Sequence, residues 1–327
     1  MTTAANDPRI GDLSEGAILR RILDRLGASD ALVGPGDDAA VLAMPDGRVV
    51  ASVDTLVHGP DFRLAWSSAF DLGWKSAAVN LSDIAAMGAR PTALLVALAM
   101  PDDTRSSFVD GLAEGLRAAC DALAPGCAVE GGDLTVSDTL TVAVTALGSL
   151  DGRAPVLRSG ARAGDTVAVA GDLGLAGRGL HLLFSRFRDA AGRPAPVDAT
   201  TLTPDESRDL AAQLRPSPPV PLGAVAADAG ATALMDVSDG LVLDATRIAE
   251  ASGITIDLDG ALDQAQLSGG EDHALLATFP GDIALPEGFR AIGRVTAAGD
   301  SPVLVGGRPY AGRGGWDPYR DWDSHVG

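Results

Sequence analysis

Residues 66–89 read WSSAFDLGWKSAAVNLSDIAAMGA, and this stretch decides the first half of the fold. It contains no proline, it is rich in residues that favour helix, and a glycine stands near its end. It therefore predicts one long helix that ends near Gly88. The apolar segment TALLVALAM (92–100) follows directly and stops at Pro101, which is typical of a buried strand.

The segments on either side of this helix and strand complete one α+β unit. A capped amphipathic helix is predicted between Ser14 and Gly27, and a second amphipathic helix over 103–123. Further strands are predicted at 39–44, 48–53, 128–132 and 139–150. The first two are joined by a Pro-Asp-Gly turn, which predicts a hairpin. This order of elements is typical of a mixed sheet with helices on one face.

The length of the chain, 327 residues, is more than one hydrophobic core usually supports, so we expect two domains. Residues 151–165 are polar and rich in turns, and we place the boundary there. The expected division is an N-terminal domain at 1–150 and a C-terminal α/β domain at 151–327. Residues 192–221 are rich in proline and polar residues, which predicts a surface excursion with a short helix inside.

Composition excludes several classes of partner. The net charge is −19 and Lys75 is the only lysine, so nucleic acid, which requires a basic surface, is a poor partner. No apolar run reaches the roughly 18 residues of a membrane span, and the N-terminus does not have the order of a secretory signal. Cys120 and Cys127 match no metal or redox spacing, so we expect buried thiols and a cytoplasmic protein.

Acidic residues are placed in an unusual way. Most of the short acidic motifs stand where a predicted strand ends, beside glycine or serine. For one motif, turn chemistry is a sufficient explanation, because aspartate accepts backbone hydrogen bonds in tight turns. Taken together, acids at strand ends gather along one edge of a sheet, and bound cations would relieve their repulsion. The set therefore predicts several Mg²⁺ ions and the phosphates that such ions bind.

Familiar catalytic motifs are missing from the sequence. There is no G-x-x-x-x-G-K-[ST] phosphate loop, no H-R-D and D-F-G pair of a protein kinase, and no G-x-S-x-G nucleophile elbow. If the chain uses ATP, it does so through carboxylates, metal ions and the backbone N–H groups of glycine-rich turns.

A series of motifs resembles one family. In chain order they read GDDAAVL, SVDTLVHG, KSAAVNLSDIAAMGA, EGGD, LRSGARAGD, MDVSDGL and SGGED. This order resembles the thiamine-monophosphate kinases, which belong to the superfamily of aminoimidazole ribonucleotide synthetases. The resemblance implies two α/β domains, and a homodimer with N-terminal strands at its interface. It also implies direct transfer of the γ-phosphoryl group of ATP to thiamine monophosphate, with several Mg²⁺ ions and no general base.

The resemblance also implies residue roles. Metal ligands would be Asp38, Ser52, Asp54, Asp83, Asp133 and Asp236, with Asp239 near a further ion. ATP would contact Gly132, Asp133, Arg158 and Ser238. The thiamine moiety would contact Glu271 and Trp316, and Asp61 stands where the family has a substrate-contacting histidine. A carboxylate and an aromatic face suit a cationic thiazolium.

Several of these assignments have structural alternatives. Arg158 could be a linker cation, Trp316 a packing residue and Ser238 only a helix N-cap. Lys75 and Asn80 are interpreted as residues that hold the long helix in place, and we leave both out of the site. Two further departures from the family are His273, where a tyrosine is usual, and a short segment before SGGED. Another ATP-using member of the superfamily, or a weakly active binding homologue, is the alternative function.

Overall fold

The structure is a computed structural model, and it describes residues 7–27, 30–34 and 39–316. Its first part comprises, in chain order, α1 (Glu15–Leu26), β1 (Val50–Val57), α2 (Ala69–Ala86), β2 (Arg90–Met100), α3 (Ser106–Leu123), β3 (Ala128–Val136) and β4 (Thr141–Ser149). The four strands form one sheet in the order β1-β4-β2-β3, in which only β2 and β3 are parallel. The predicted mixed sheet is confirmed.

The two faces of this sheet differ. Along β1, the Ser52 hydroxyl is directed to α2, whereas Ala51, Val53 and Thr55 are exposed on the opposite face. Val53 is 62% exposed, which is unusual for a valine in the middle of a strand. Helices therefore cover one face, as predicted, and the other face is open in the single chain.

The second part of the chain builds a larger sheet. Its elements are β5 (Thr166–Ala170), α4 (Leu175–Arg186), α5 (Pro204–Leu214), α6 (Pro221–Asp228), β6 (Ala233–Val237), α7 (Leu241–Ser252), β7 (Ile254–Leu258), α8 (Gln264–Ser268), β8 (Ala274–Phe279), β9 (Phe289–Ala297), β10 (Val303–Val305) and β11 (Arg308–Pro309). The seven strands have the order β11-β10-β7-β9-β5-β8-β6, and only β7 and β10 run parallel. The division into domains at 1–150 and 151–327 stays a prediction, since one apolar core contains residues of both sheets.

Helix α2 lies between the two sheets. The Ser68 hydroxyl accepts a hydrogen bond from the Asp71 amide and the Asp71 carboxylate accepts one from the Ser68 amide, a capping box that fixes where the helix begins. The helix then packs on β1, β2 and β4, and on its other side against β6 and β8. It is therefore buried nearly all round. None of the helices in the described part of the chain combines the length and apolarity needed to cross a membrane.

Most elements predicted before residue 150 are confirmed, but the first hairpin is wrong. Residues 39–44 form no strand, and only an isolated bridge joins Val33 and Val41. The Asp46 carboxylate accepts a hydrogen bond from the Arg48 amide, and such a local turn competes with ladder pairing. Strand β1 begins later, at Val50, and pairs with the distant β4 instead.

The predicted excursion contains α5, whose capping box is formed by Thr203 and Glu206. Helix α5 packs along α4. The indole N–H of Trp74, on α2, donates to the carbonyl oxygen of Pro216 at 2.8 Å. The excursion is thereby attached to α2 beside Lys75.

We expect the close contact of α2 with α3 to tolerate no side chain at Gly73. A Cβ atom there would lie 2.0 Å from the carbonyl oxygen of Leu112. Gly73→Ala should therefore lower the free energy of unfolding by about 1–3 kcal/mol, measured by thermal or urea unfolding.

Gly16 in α1 supplies the matched control, because its nearest heavy atom is an arginine side-chain nitrogen at 3.7 Å. Gly16→Ala should leave stability unchanged or raise it by up to about 1 kcal/mol. Equal effects of the two substitutions would contradict the packing described.

Candidate active site

Three carboxylates meet where α2 passes between the sheets. Asp54 lies on β1, Asp83 on α2 and Asp236 on β6, and we call them the acidic cluster. The Ser52 hydroxyl donates to Asp83 Oδ2 at 2.5 Å. Burial raises the pKa of Asp83 to about 7, and the charges of Asp236 and Asp54 add to this effect. Asp83 therefore lies close enough to Asp236 and to Asp54 for their charges to act on it.

The chemistry of the cluster fits a hard cation. In the part of the chain that the structure describes, neither Asp54 nor Asp83 forms a salt bridge with lysine or arginine, and the nearby donors are carboxylate and hydroxyl oxygens. The cluster is nevertheless incomplete, since no group of three or more His, Cys, Asp or Glu residues among those described is placed to hold a metal ion alone. Asp38, predicted as a further ligand, lies outside the described residues.

Asp236 has two side-chain hydrogen-bond partners, Ser82 on α2 and His273 directly before β8. The Ser82 hydroxyl donates to its Oδ2 at 3.3 Å, and His273 Nδ1 lies 3.0 Å from the same oxygen. Burial alone would lower the pKa of His273, but the hydrogen bond and charge of Asp236 outweigh it and raise that pKa. The histidine that replaces the usual tyrosine is therefore a hydrogen-bond partner of the cluster.

Asp239 has a different environment from the acidic cluster. Its Oδ2 accepts a hydrogen bond from Arg247 Nη2 at 2.6 Å, so its charge is already compensated. Asp244 is fully buried beside it and accepts hydrogen bonds from the amides of Asp239 and Gly240, which shapes the turn before α7. Burial raises the pKa of Asp244 to about 7, although the Arg247 charge opposes the rise.

A cavity of about 1210 Å³ opens beside the cluster. It contains side chains of five predicted site residues, which are Asp61, Ser238, Asp239, Glu271 and Trp316. The chain passes directly from Asp236 into this wall, and the Trp316 amide donates to the Asp239 carbonyl at 2.9 Å. The structure therefore brings the predicted substrate residues together. Ser238 is not the N-cap of α7, since Gly240 occupies that position.

Asp61 and Glu271 share this wall with opposite pKa shifts. Burial raises the pKa of Asp61, and the Glu271 charge adds to the rise. Burial would also raise the pKa of Glu271, but the charge and hydrogen bond of Lys75 and the hydrogen bond of Gln213 outweigh it and lower that pKa. Asp61 is thus held by one backbone hydrogen bond from Val57, whereas Glu271 is held by two side chains.

Three predicted residues lie elsewhere. Arg158 is exposed, and its carbonyl oxygen accepts a hydrogen bond from Ser252. Gly132 and Asp133 lie on β3, which is the edge strand at the opposite side of the sheet from β1. Across the sheet, Asp54 on β1 is aligned with Gly132 on β3, with β4 and β2 between them, so three inter-strand spacings separate the two residues. Since neighbouring strands lie about 4.8 Å apart, this places Asp133 about 14 Å from Asp54.

Sequence reasoning missed two residues of the cavity wall, Lys75 and Gln213. Lys75 was interpreted as a residue that holds α2 in place, yet its ammonium group donates to Glu271. One signal was available: it is the only lysine among 25 basic residues. Gln213 lies on the predicted short helix, and nothing in the sequence distinguishes it from a surface residue.

Comparison with known proteins places this geometry in a class. Residues 36–150 match the family "AIR synthase related protein, N-terminal domain". A thiamine-monophosphate kinase of Stenotrophomonas maltophilia K279a has a similar structure, with a TM-score of 0.76 and 35% sequence identity over 91% of this chain and 98% of that one. The two sheets and the helix buried between them are thus those of an AIR synthase-related protein.

The particular family follows from two further relatives. Thiamine-monophosphate kinase of Mycobacterium tuberculosis (strain ATCC 25618 / H37Rv) is 41% identical over 341 residues, covering 98% of this chain and 96% of that protein. AaThiL, solved in complex with AMPPCP and TMP, has a TM-score of 0.72 and 29% identity over 94% of this chain and 97% of that chain. The chain belongs to the thiamine-monophosphate kinase family.

Asp272 gives a stability prediction with a definite sign. Its carboxylate accepts hydrogen bonds from the amides of Gly174 and Ala176, yet burial raises its pKa from 3.8 to about 6. The stability contributed by a carboxyl with a raised folded-state pKa is complete below about pH 4 and is lost as pH rises through about 6.

We expect the thermal midpoint of the wild type to be higher than that of Asp272→Asn, and this difference should be larger at about pH 4.5 than at about pH 7.5. Circular dichroism measures both midpoints. The asparagine does not titrate, so the difference isolates this carboxyl. A difference that grows with pH would refute the assignment.

Proposed function

We propose that this protein transfers the γ-phosphoryl group of ATP to thiamine monophosphate, giving thiamine diphosphate and ADP. The observation that carries the proposal is an acidic cluster in which, among the described residues, no carboxylate pairs with lysine or arginine, beside a cavity walled by Glu271 and Trp316. Membership of the family and the AMPPCP and TMP complex of AaThiL support it. The acceptor oxygen belongs to an ionised phosphate, so no side chain is needed as a general base.

Mg²⁺ is the cofactor that suits these residues. Asp54, Asp83, Asp236 and Ser52 would hold it, joined by Asp38 and, near a further ion, by Asp239. Bound Mg²⁺ would neutralise the charge of two phosphate chains in the same site. The oxygen atoms of these side chains lie on two different sheets and on α2, so the phosphates can lie between them. This arrangement supplies position and charge, which is what phosphoryl transfer requires.

The cavity provides the acceptor side. Trp316 is 46% exposed on the cavity wall and offers an aromatic face to the thiazolium cation, and Asp61 offers a carboxylate on the same wall. Ser238 follows the cluster at the same wall and would contact ATP. Gly132 and Arg158 are assigned to ATP as well, on the strength of the family alone.

We also propose a cytoplasmic homodimer. The open face of the first sheet presents Val53 with alanine and threonine around it, and an exposed apolar face of this kind marks an interface. A second copy would also account for Asp133. Because Asp133 is about 14 Å from Asp54 within one chain, the two would share an ion if Asp133 came from the second subunit.

The assay that tests the function uses purified protein, Mg²⁺, ATP and thiamine monophosphate, with product measured by chromatography. Asp54→Asn should lower kcat by about a hundredfold or more, because it removes a ligand of the ion that stabilises the transferred phosphoryl group. Asp121→Asn, a change at a carboxylate 65% exposed on α3, should leave kcat unaltered. Tight ATP binding without product would instead favour a binding homologue.

Asp133→Asn should be inactive as well. Co-expressing it with Asp54→Asn should restore about a quarter of wild-type activity if each site takes Asp133 from the second subunit of a twofold dimer. An absence of restored activity in a confirmed mixed dimer would contradict this sharing.

The dimer has its own prediction. Val53→Asp places a charge in the middle of the open face and should convert the protein to a monomer, measured by light scattering during gel filtration. Val225→Asp on α6, where the valine is 38% exposed, is the matched control and should leave the oligomeric state unchanged. A dimer that survives Val53→Asp would exclude this face.

A further inference from the structure

The single lysine of the chain sits in the cavity wall and joins three distant segments. Lys75 lies on α2 and is 5% exposed. Its Nζ donates to Glu271 Oε2 at 2.5 Å and to the carbonyl oxygen of Gln213 at 3.2 Å. Every other basic residue of the chain is arginine or histidine. A lysine ammonium is a compact group that can donate in several directions, which the planar guanidinium of arginine cannot copy in the same space.

Gln213 completes the arrangement on the same oxygen. It is 5% exposed in the last turn of α5, and its Nε2 donates to Glu271 Oε2 at 2.5 Å. A carboxylate only accepts hydrogen bonds, so the amide must point its nitrogen at Glu271, and the orientation of this side chain is unambiguous. Two donors, one of them charged, therefore converge on one oxygen of Glu271.

The other oxygen of Glu271 has no partner among the described residues. Oε1 receives no hydrogen bond from them and is not fully buried. Because Glu271 lines the cavity, this oxygen is accessible from it. The Glu271 backbone is also fixed, with φ at 68° and its amide bonded to the Ser238 carbonyl at 2.7 Å. The carboxylate thus has one saturated oxygen and one oxygen presented to a ligand.

The charge of Glu271 is largely compensated by this pairing. A carboxylate paired with a buried ammonium is a weak counter-ion for a second cation, but its free oxygen remains a good acceptor of a directed hydrogen bond. In thiamine monophosphate the thiazolium ring carries positive charge and no N–H group. The N–H donors belong to the amino group of the pyrimidine ring.

We propose that Lys75 and Gln213 are positioning residues which hold Glu271 so that its Oε1 accepts a hydrogen bond from the amino group of the acceptor's pyrimidine ring. This inference rests on the proposed function, and it assigns Glu271 to the pyrimidine end of the substrate. Asp61 and Trp316 then remain for the thiazolium cation.

The first test compares Lys75→Met with Arg117→Met. Both changes remove one positive charge, but Arg117 lies on α3 in an exposed pair with Asp121. Lys75→Met should raise KM for thiamine monophosphate about tenfold, because Glu271 loses the group that holds it in position. KM for ATP and kcat should stay within about twofold of the wild-type values, because the change displaces only the side chain that binds the acceptor. Arg117→Met should change none of these values.

The second test examines recognition of the amino group. Wild type should use oxythiamine monophosphate, which has an oxo group in place of that amino group, with kcat/KM lower by about tenfold or more. Lys75→Met and Gln213→Leu should both reduce this discrimination. In a Glu271→Ala background, Lys75→Met should have no further effect on the affinity for thiamine monophosphate measured by calorimetry.

Several results would overturn the inference while leaving the proposed function intact. They are an unchanged KM in Lys75→Met, an equal rise in KM for ATP, full discrimination in both variants, or an undiminished effect of Lys75→Met without Glu271. If the wild type makes no thiamine diphosphate, the proposed function fails by itself. The positioning role is then judged by the single ¹⁵Nζ-lysine signal in NMR spectra, which must move in Glu271→Ala; an unmoved signal overturns it.

Discussion

Burial of one helix between two sheets is the constraint on which the rest of this structure depends. Helix α2 has no solvent face, yet it carries Lys75, Asn80, Ser82 and Asp83. Buried polar groups require partners, so each of these residues fixes a neighbour. Asn80 accepts the amide hydrogen of Asp54, Ser82 donates to Asp236, and Lys75 donates to Glu271. The site is thus assembled by satisfying the polar side chains of one helix.

Electrostatics divides the acidic residues of the site into two kinds. Asp239, Asp244 and Glu271 have arginine or lysine partners, and these pairs fix the turns that line the cavity. In the described part of the chain, Asp54 and Asp83 have no such partners, and burial raises the pKa of Asp83. Cations supplied with the phosphates would resolve that conflict. On the proposed function, the excess of negative charge at this position would serve to bind those cations.

The sequence allowed the fold to be predicted where local patterns and burial agree. Helices α1, α2 and α3 and strand β2 have clear periodicity and clear ends, and they are confirmed. The hairpin at 39–44 failed because a local turn at Asp46 competes with pairing, and the true partner of β1 is β4, about 90 residues further along the chain. Pairing at that distance leaves no local signal.

The site was predicted in the same uneven way. Acids at the ends of strands indicated Asp54 and Asp236, and family motifs added Glu271 and Trp316, all of which lie at the cluster or the cavity. Asp133 was grouped with them by its motif, yet it lies at the opposite edge of the first sheet from Asp54 within one chain. This separation could not be predicted, because the order of strands in a sheet is not visible in the sequence. Lys75 was not expected in the site, since a lysine on a helix is usually a surface residue. Its partners, Gln213 on α5 and Glu271 before β8, are more than 130 positions away in the chain.

Binding of a divalent cation to the acidic cluster is the central requirement of the proposed function. The most direct measurement is the thermal midpoint of the purified protein with and without Mg²⁺, in wild type and in Asp83→Asn, with AMPPCP present throughout. Because a ligand that binds only the folded state stabilises it, Mg²⁺ should raise the midpoint of wild type by several degrees and leave Asp83→Asn nearly unchanged. Equal shifts in the two proteins, or no shift in wild type, would contradict the central claim.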